Sequence, residues 1–231
     1  MFNQIIPKLY DHRNSNSWSA KLREKRLSFF CSLMVLIPKT QTTVKILDVG
    51  GVPDFWQNST FLEEITLNIE IYTVNINPLY EQYGTNNHRI KAMTSDARNL
   101  KQFKDKEFDI VFSNSVIEHV GDYSEQRQMA NEVMRVGKRY FIQTPNLYFP
   151  IEPHFIFPFF QFLPIQLRAE LLTHFNLGWS KREQDKQKAK AQVESVKLLS
   201  KNQFVNLFPG AKCYEEKVLG LTKSFIIYDG W

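Results

Sequence analysis

The sequence predicts an α/β fold with a mostly parallel sheet, and three observations predict it. Apolar runs of strand length recur in order at residues 44–49, 70–75, 108–113 and 139–144, and the third is almost entirely apolar after Asp109, as for a strand covered on both faces. Each run leads into small or polar groups, namely Asp48-Val49-Gly50-Gly51, Asn75, Ser113-Asn114-Ser115 and Thr144-Pro145-Asn146. Between the last two runs, Met129, Val133, Met134 and Val136 recur near helical spacing, so residues 125–136 are expected to cover the sheet. In open sheets of this kind ligands bind in the crevice at the carboxyl ends of the strands.

The elements follow in order. Ser17 is placed to cap a helix over 18–37, which Pro38 and a polar stretch end. Strand one is 44–49, residues 61–67 form a helical or irregular crossover, and strand two is 70–75. Residues 77–87 carry turn chemistry. Strand three, 90–94, precedes Asp96; strand four is 108–113 and strand five 139–144. Residues 146–197 are too many for an ordinary loop, and such insertions are usually lids or binding elements. Prolines interrupt their aromatic run at 149–164, while the aromatic rings demand burial, and a lid over a pocket satisfies both. A helix at 203–208 and antiparallel strands at 212–218 and 223–228 close the chain, with Lys217 suited to an edge strand and Phe225 to an inner one.

At 231 residues with 43% hydrophobic content, the chain is long enough for one domain spanning 1–231, with an N-terminal helical region at 1–43 and the insertion at 146–197. The net charge of +5 is scattered. Its densest run, 181–190, is diluted by Glu183 and Asp185 and reads as a solvated face, so no nucleic-acid partner is favoured. Cys31 and Cys213 lack metal or disulfide spacing. The apolar run 27–37 follows basic residues but is shorter than the about 18 residues of a span and lacks a cleavage site, so it is expected to pack on the sheet of a cytoplasmic protein. The aromatic run admits core packing, an acceptor pocket or peripheral membrane contact. Oligomeric state is not legible.

The ordered set Asp48-Val49-Gly50-Gly51, Ile71-Tyr72-Thr73-Val74-Asn75, Ser95-Asp96-Ala97 and Phe108-Asp109-Ile110-Val111-Phe112-Ser113-Asn114-Ser115-Val116-Ile117-Glu118-His119 resembles the class I S-adenosylmethionine-dependent methyltransferases, in particular the type 11 branch. The resemblance covers residues 44–150, and residues 200–231 suit the family's closing strands. It implies a Rossmann-like methyltransferase fold, a mostly parallel seven-stranded sheet with an antiparallel closing strand, and S-adenosyl-L-methionine as cofactor. It assigns cofactor binding to Asp48, Gly50, Gly51, Asn75, Ile76, Asp96, Ala97, Asn114 and Ser115, with Asp96 accepting from the adenine amino group. The chain departs from the family at Val52 and Asp54, where glycines are usual, and at Asn75, where an acid usually bonds the ribose. Asn75→Asp is therefore expected to preserve or tighten cofactor binding, because a carboxylate is the stronger acceptor; Asn77 is placed to share the ribose.

Methyl transfer from a sulfonium is an in-line displacement, so the protein must hold donor and acceptor collinear, exclude water and, for a hydroxyl, take its proton. His119, just beyond strand four, and His154, in the insertion with Glu152 two residues before it, are the candidates, His154 as base or acceptor-binding group and Glu152 as its orienting carboxylate. His119 also reads as a capping or pocket-shaping residue. Asp54 and Glu118 read equally as contacts to the cofactor's amino group or as solvated acids. His12, His88 and His174 have no partner pattern, and no metal site is expected. The lack of an Asn-Pro-Pro-aromatic tetrad after strand four favours an oxygen acceptor on a small molecule, glycan or lipid-linked precursor. An RNA methyltransferase and a catalytically silent scaffold are the alternative readings, the second suggested by Val52, Asp54 and Asn75.

Overall fold

The computed structural model describes residues 18–38, 42–57, 61, 65, 67–83 and 87–231. The expected cap at Ser17 and most of the crossover at 61–67 lie outside these residues. Helix α1 (Trp18–Met34) leads into β1 (Val44–Val49), a short α2 (Pro53–Gln57) and β2 (Ile69–Asn75). A short helix α3 (Leu79–Tyr83) occupies the segment read as turns, followed by β3 (Ile90–Thr94), β4 (Phe108–Asn114), α4 (Tyr123–Val136) and β5 (Gly137–Pro145). The strand order is β3-β2-β1-β4-β5-β9-β8, where β8 is Lys212–Val218 and β9 is Leu221–Asp229. Strands β1 to β5 pair in parallel, and β9 runs antiparallel to both neighbours, β5 and β8. Lys217 thus sits on the edge strand and Phe225 on the inner one, as the sequence indicates.

Alternation along the central strands builds two cores. Ile46, Ile110, Phe141 and Ile226 face α1, whose Phe30, Leu33 and Met34 pack on them. Their neighbours Leu47, Val111, Ile142 and Ile227 face the opposite way and meet Met129, Ala130 and Val133 of α4. Each such fully buried side chain contributes about 1.5–3 kcal/mol. This explains why β1 and β4 read as continuous apolar runs. The stretch 27–37 is buried on the sheet by Phe30, Leu33, Met34 and Ile37, and among the described residues no helix is long and apolar enough to cross a membrane. Helix α4 begins two residues earlier than its apolar spacing predicts, because Asp122 and Glu125 form a reciprocal capping box.

A buried ion pair ties α1 to the far end of the sheet. Arg26 Nε and Nη2 donate to Oε1 and Oε2 of Glu216 on β8 at 3.0 and 2.6 Å, and Nη1 donates to Asn114 Oδ1 at the end of β4. The side chains are 9% and 5% exposed, so the pair is withheld from water.

The insertion forms a hairpin of β6 (Ile151–Glu152) and β7 (Phe157–Pro158), a 3-10 turn at Phe160–Phe162, α5 (Ile165–His174) and α6 (Lys186–Glu194). Phe155, Phe160, Leu172, Leu177, Ala189 and Val193 give it a small core of its own. Helix α7 (Lys201–Leu207) then leads into the closing strands. The aromatic run is divided between roles: Phe155 and Phe160 are core, while Phe159 and Phe162 are exposed.

Candidate active site

The strand order reverses between β1 and β4, and a cavity of about 430 Å³ opens over the carboxyl ends of the strands there. That volume lies within the range of small-molecule sites. Gly50 follows β1, Asn75 and Ile76 close β2, Ser95, Asp96 and Ala97 follow β3, and Ser115 follows β4; all seven line the cavity. Gly50 has φ +78°, and a Cβ there would collide with the Val116 side chain, so only glycine fits this turn. Ser115 is also left-handed, at φ 56°, and its Oγ is held by Gln143 Oε1 at 2.8 Å. A strained residue persists only where its surroundings fix it, and such residues concentrate at ligand sites.

Three of the expected cofactor positions stand behind this wall instead of in it. Asp48 is buried, its carboxylate accepting the Trp56 indole N–H at 2.7 Å, and burial lifts its pKa to about 7 despite that bond. Gly51 is packed against the Asp48 carboxylate so closely that a Cβ would overlap it. Asn114 turns its amide oxygen to Arg26. Asp48 and Gly51 therefore shape the turn that presents Gly50.

Asn75 is also committed within the protein. Its Nδ2 donates to the carbonyls of Gly50 and Gly51 at 3.0 and 3.2 Å, and its Oδ1 accepts from the Asn77 N–H at 3.0 Å, which fixes the amide's orientation. An aspartate here has no donor for the two carbonyls and sets a charge against them. We therefore expect Asn75→Asp to weaken cofactor binding about tenfold or more, opposite to the family-based expectation, through a loosened Gly50-Gly51 turn. Calorimetric comparison with the parent protein checks this; equal or tighter binding would show that the turn does not depend on the amide.

Around Asp96 the cavity carries charge that the motif did not signal. Arg98 bonds both carboxylate oxygens, the shortest contact being 2.6 Å, and it also reaches Glu125 and the carbonyl of Val120. The Arg98 hydrogen bonds hold the Asp96 carboxyl below its usual range, and the same contacts raise the guanidinium. Glu194 and Ser195, at the end of α6, complete the wall, so the insertion contributes to the cavity. Arg98 was within reach of sequence reasoning, two residues beyond an acid on a loop; Glu194 and Ser195 had no local signal.

At the other end lies an acid–histidine cluster. The 3-10 turn Ile117–His119 follows β4 and brings His119 into the cavity wall. His154, on the β6–β7 turn, sets its ring perpendicular to that of His119 with centroids 4.7 Å apart. Its Nδ1 lies 2.6 Å from Glu152 Oε1, while Glu152 Oε2 accepts the backbone N–H groups of His154 and Phe155 at 2.8 and 2.7 Å. Glu152 thus fixes both the turn and the imidazole, as Glu-Pro-His indicates. On the opposite side, His154 Nε2 is 3.9 Å from Glu118 Oε1. Glu118 is fully buried; its Oε2 accepts from Thr144 at 2.9 Å, and its Oε1 has no hydrogen-bond partner among the described residues.

The electrostatics differ sharply within this cluster. Burial raises the Glu118 carboxyl, with the like charge of Glu152 adding to it and His154 opposing. Although His119 keeps an exposed edge, partial desolvation of its ring, then the His154 charge, lowers it to about 4, so it is neutral near pH 7. Burial opposes charge on His154 too, but the Glu152 hydrogen bond and the charges of Glu152 and Glu118 outweigh it, so this imidazole is more basic than usual. Asp54, His88 and His174 are exposed and outside the cavity wall, and His12 lies outside the described residues.

Known proteins resemble this chain over part of its sequence and in its fold. The family described as "Methyltransferase domain" matches residues 55–140. Two uncharacterized proteins of Mycobacterium tuberculosis are 41% identical over 70 residues, which make up 30% of this chain and 23% of each of those proteins. The match thus spans about a quarter of the length of these curated relatives. The CMeT domain of the citrinin polyketide synthase superposes with a TM-score of 0.59 at 10% identity, covering 90% of this chain and 52% of that one. Magnesium protoporphyrin IX methyltransferase from Synechocystis PCC 6803, solved with bound SAH, gives 0.55 at 9% identity, covering 90% and 83%. A protein from Pyrococcus horikoshii OT3 gives 0.52 at 21% identity, covering 93% and 92%. At these identities the likeness to the solved structures is one of fold.

Proposed function

We propose that this chain is a class I S-adenosylmethionine-dependent methyltransferase, a reading its fold and its matched segment support, and that it methylates a hydroxyl oxygen of a small molecule, glycan or lipid-linked precursor. The observation that carries the reading is the His154–Glu152 pair at 2.6 Å, set beside His119 where His119 enters the wall of the cavity. S-adenosylmethionine, when bound, supplies a methyl group activated by its sulfonium. Gly50, Asn75, Ile76, Asp96, Ala97 and Ser115 would hold the cofactor: Gly50 allows close backbone approach, and the Asp96 carboxylate, kept ionised by Arg98, would accept from the adenine amino group. Asp48, Gly51 and Asn114 support these residues from behind.

At the acceptor end, His154 Nδ1–H donates to Glu152, which leaves the Nε2 lone pair available. Nε2 takes the acceptor's proton as the oxygen attacks, and the imidazolium so formed is stabilised by Glu152 and Glu118. Neutral His119 and residues 146–197 shape the acceptor pocket and cover it, excluding water.

Incubation of the purified protein with methyl-deuterated cofactor and separate pools of hydroxylated metabolites, oligosaccharides, lipid-linked sugars and RNA, read by mass spectrometry, tests the proposal. One label on an oxygen of a small or lipid-linked acceptor is expected. Label on carbon, nitrogen or RNA would overturn the acceptor assignment, and absence of cofactor binding would indicate a silent scaffold.

A further inference from the structure

We propose that Glu118, His119 and His154 form a site for one divalent transition-metal ion. The inference rests on the reading of this cluster as the acceptor end of the methyl-transfer site, but its test does not depend on activity. One ligand atom from each residue lies within 4.8 Å of the others, the arrangement among the described residues able to hold an ion. Metal bonds to imidazole nitrogen and carboxylate oxygen are about 2.0–2.2 Å, so tetrahedral ligand atoms lie about 3.4 Å apart. The 3.9 Å from His154 Nε2 to Glu118 Oε1 needs only a small side-chain rotation to meet that figure.

Two independent features single out these atoms. Glu118 is fully buried, yet its Oε1 has no hydrogen-bond partner among the described residues and is aimed at His154. A buried unpaired carboxylate oxygen is costly, and an ion satisfies it. His154 is held by Glu152 through Nδ1, which orients Nε2 and increases its donor strength, the carboxylate–histidine arrangement that supports metal-bound imidazoles. Thr144 anchors the other Glu118 oxygen in the same supporting role. Two imidazoles and one carboxylate suit Zn²⁺ better than Mg²⁺ or Ca²⁺, which prefer all-oxygen sets.

With three protein ligands a remaining position would be open, and of the three residues His119 lines the cavity. An acceptor oxygen would be positioned there, and the proton-accepting role given above to His154 Nε2 would belong to the metal-free protein.

The test is titration of the untagged, chelator-treated full chain with Zn²⁺ by calorimetry and with Mn²⁺ by electron paramagnetic resonance. One ion per chain at micromolar affinity or tighter is expected, with Mg²⁺ at least tenfold weaker. Glu118→Gln and His154→Ala should each weaken binding 100-fold or more, and Glu152→Gln 10- to 100-fold, the range for supporting groups. Circular dichroism confirms folding of each variant, and X-ray absorption of the Zn²⁺-loaded parent protein should report two imidazole nitrogens. No binding at millimolar ion, binding untouched by Glu118→Gln and His154→Ala, or equal affinity for Mg²⁺ would overturn the assignment. If the titrations fail while the chelated protein still transfers methyl, the metal assignment falls and the proton-accepting reading of His154 stands.

Discussion

Replacing His154 with alanine is expected to lower turnover by about 100-fold or more while leaving cofactor affinity nearly intact, the range for a positioned base. The separation follows from placement. His154 packs its ring against His119, which lines the cavity, and is not itself among the residues at the strand ends proposed to hold the cofactor. Glu152→Gln should give a smaller loss in turnover, because the amide still accepts at one oxygen but no longer stabilises the imidazolium with charge. Steady-state kinetics with calorimetry on the same preparations separates the effects. Unchanged turnover in folded His154→Ala protein would remove this residue from the chemistry and leave His119 as the remaining histidine of the site.

The largest expected loss of stability comes from Arg26. In Arg26→Met, buried Glu216 keeps the Ser224 hydroxyl and the nearby Lys223 charge but loses its two guanidinium hydrogen bonds, a loss at the low end of the about 3–5 kcal/mol for breaking a buried pair. The melting temperature should fall by an amount on the order of 10 °C. Arg26→Met combined with Glu216→Gln should recover much of the loss, because the stranded charge is gone. Lys223 offers a second readout: burial, then the nearby Arg26 charge, lowers its pKa to about 8, and removing Arg26 should raise it. Urea unfolding of the three proteins checks the stability order; a change below about 1 kcal/mol in the single variant would mean that water reaches the pair.

These two cases mark what the sequence could and could not show. Strand positions were legible because burial on both faces of β1 and β4 leaves uninterrupted apolar runs, and the turn after β1 because a positive φ demands glycine at position 50. Glu152 and His154 were legible as a pair because they meet within one turn. The Arg26–Glu216 pair was not, since its members are 190 residues apart and nothing local to either signals the other. Asn75 was legible as a residue of the cavity wall, but not the hydrogen bonds from its amide to the Gly50 and Gly51 carbonyls, which only the folded turn brings near. Glu118 read equally as a solvated acid because its burial comes from tertiary packing, including the insertion, whose Lys197 N–H donates to the Glu118 carbonyl at 2.7 Å.

The central claim is that the cavity over the β1–β4 reversal binds the methyl donor, and calorimetric titration of the parent protein and Gly50→Val with S-adenosylmethionine tests it most directly. The parent is predicted to bind one molecule per chain, and Gly50→Val, whose side chain must displace Val116 from a left-handed backbone, is predicted to lose measurable binding while circular dichroism still reports a folded chain. No binding by the parent, or equal binding by a folded Gly50→Val, would contradict the account.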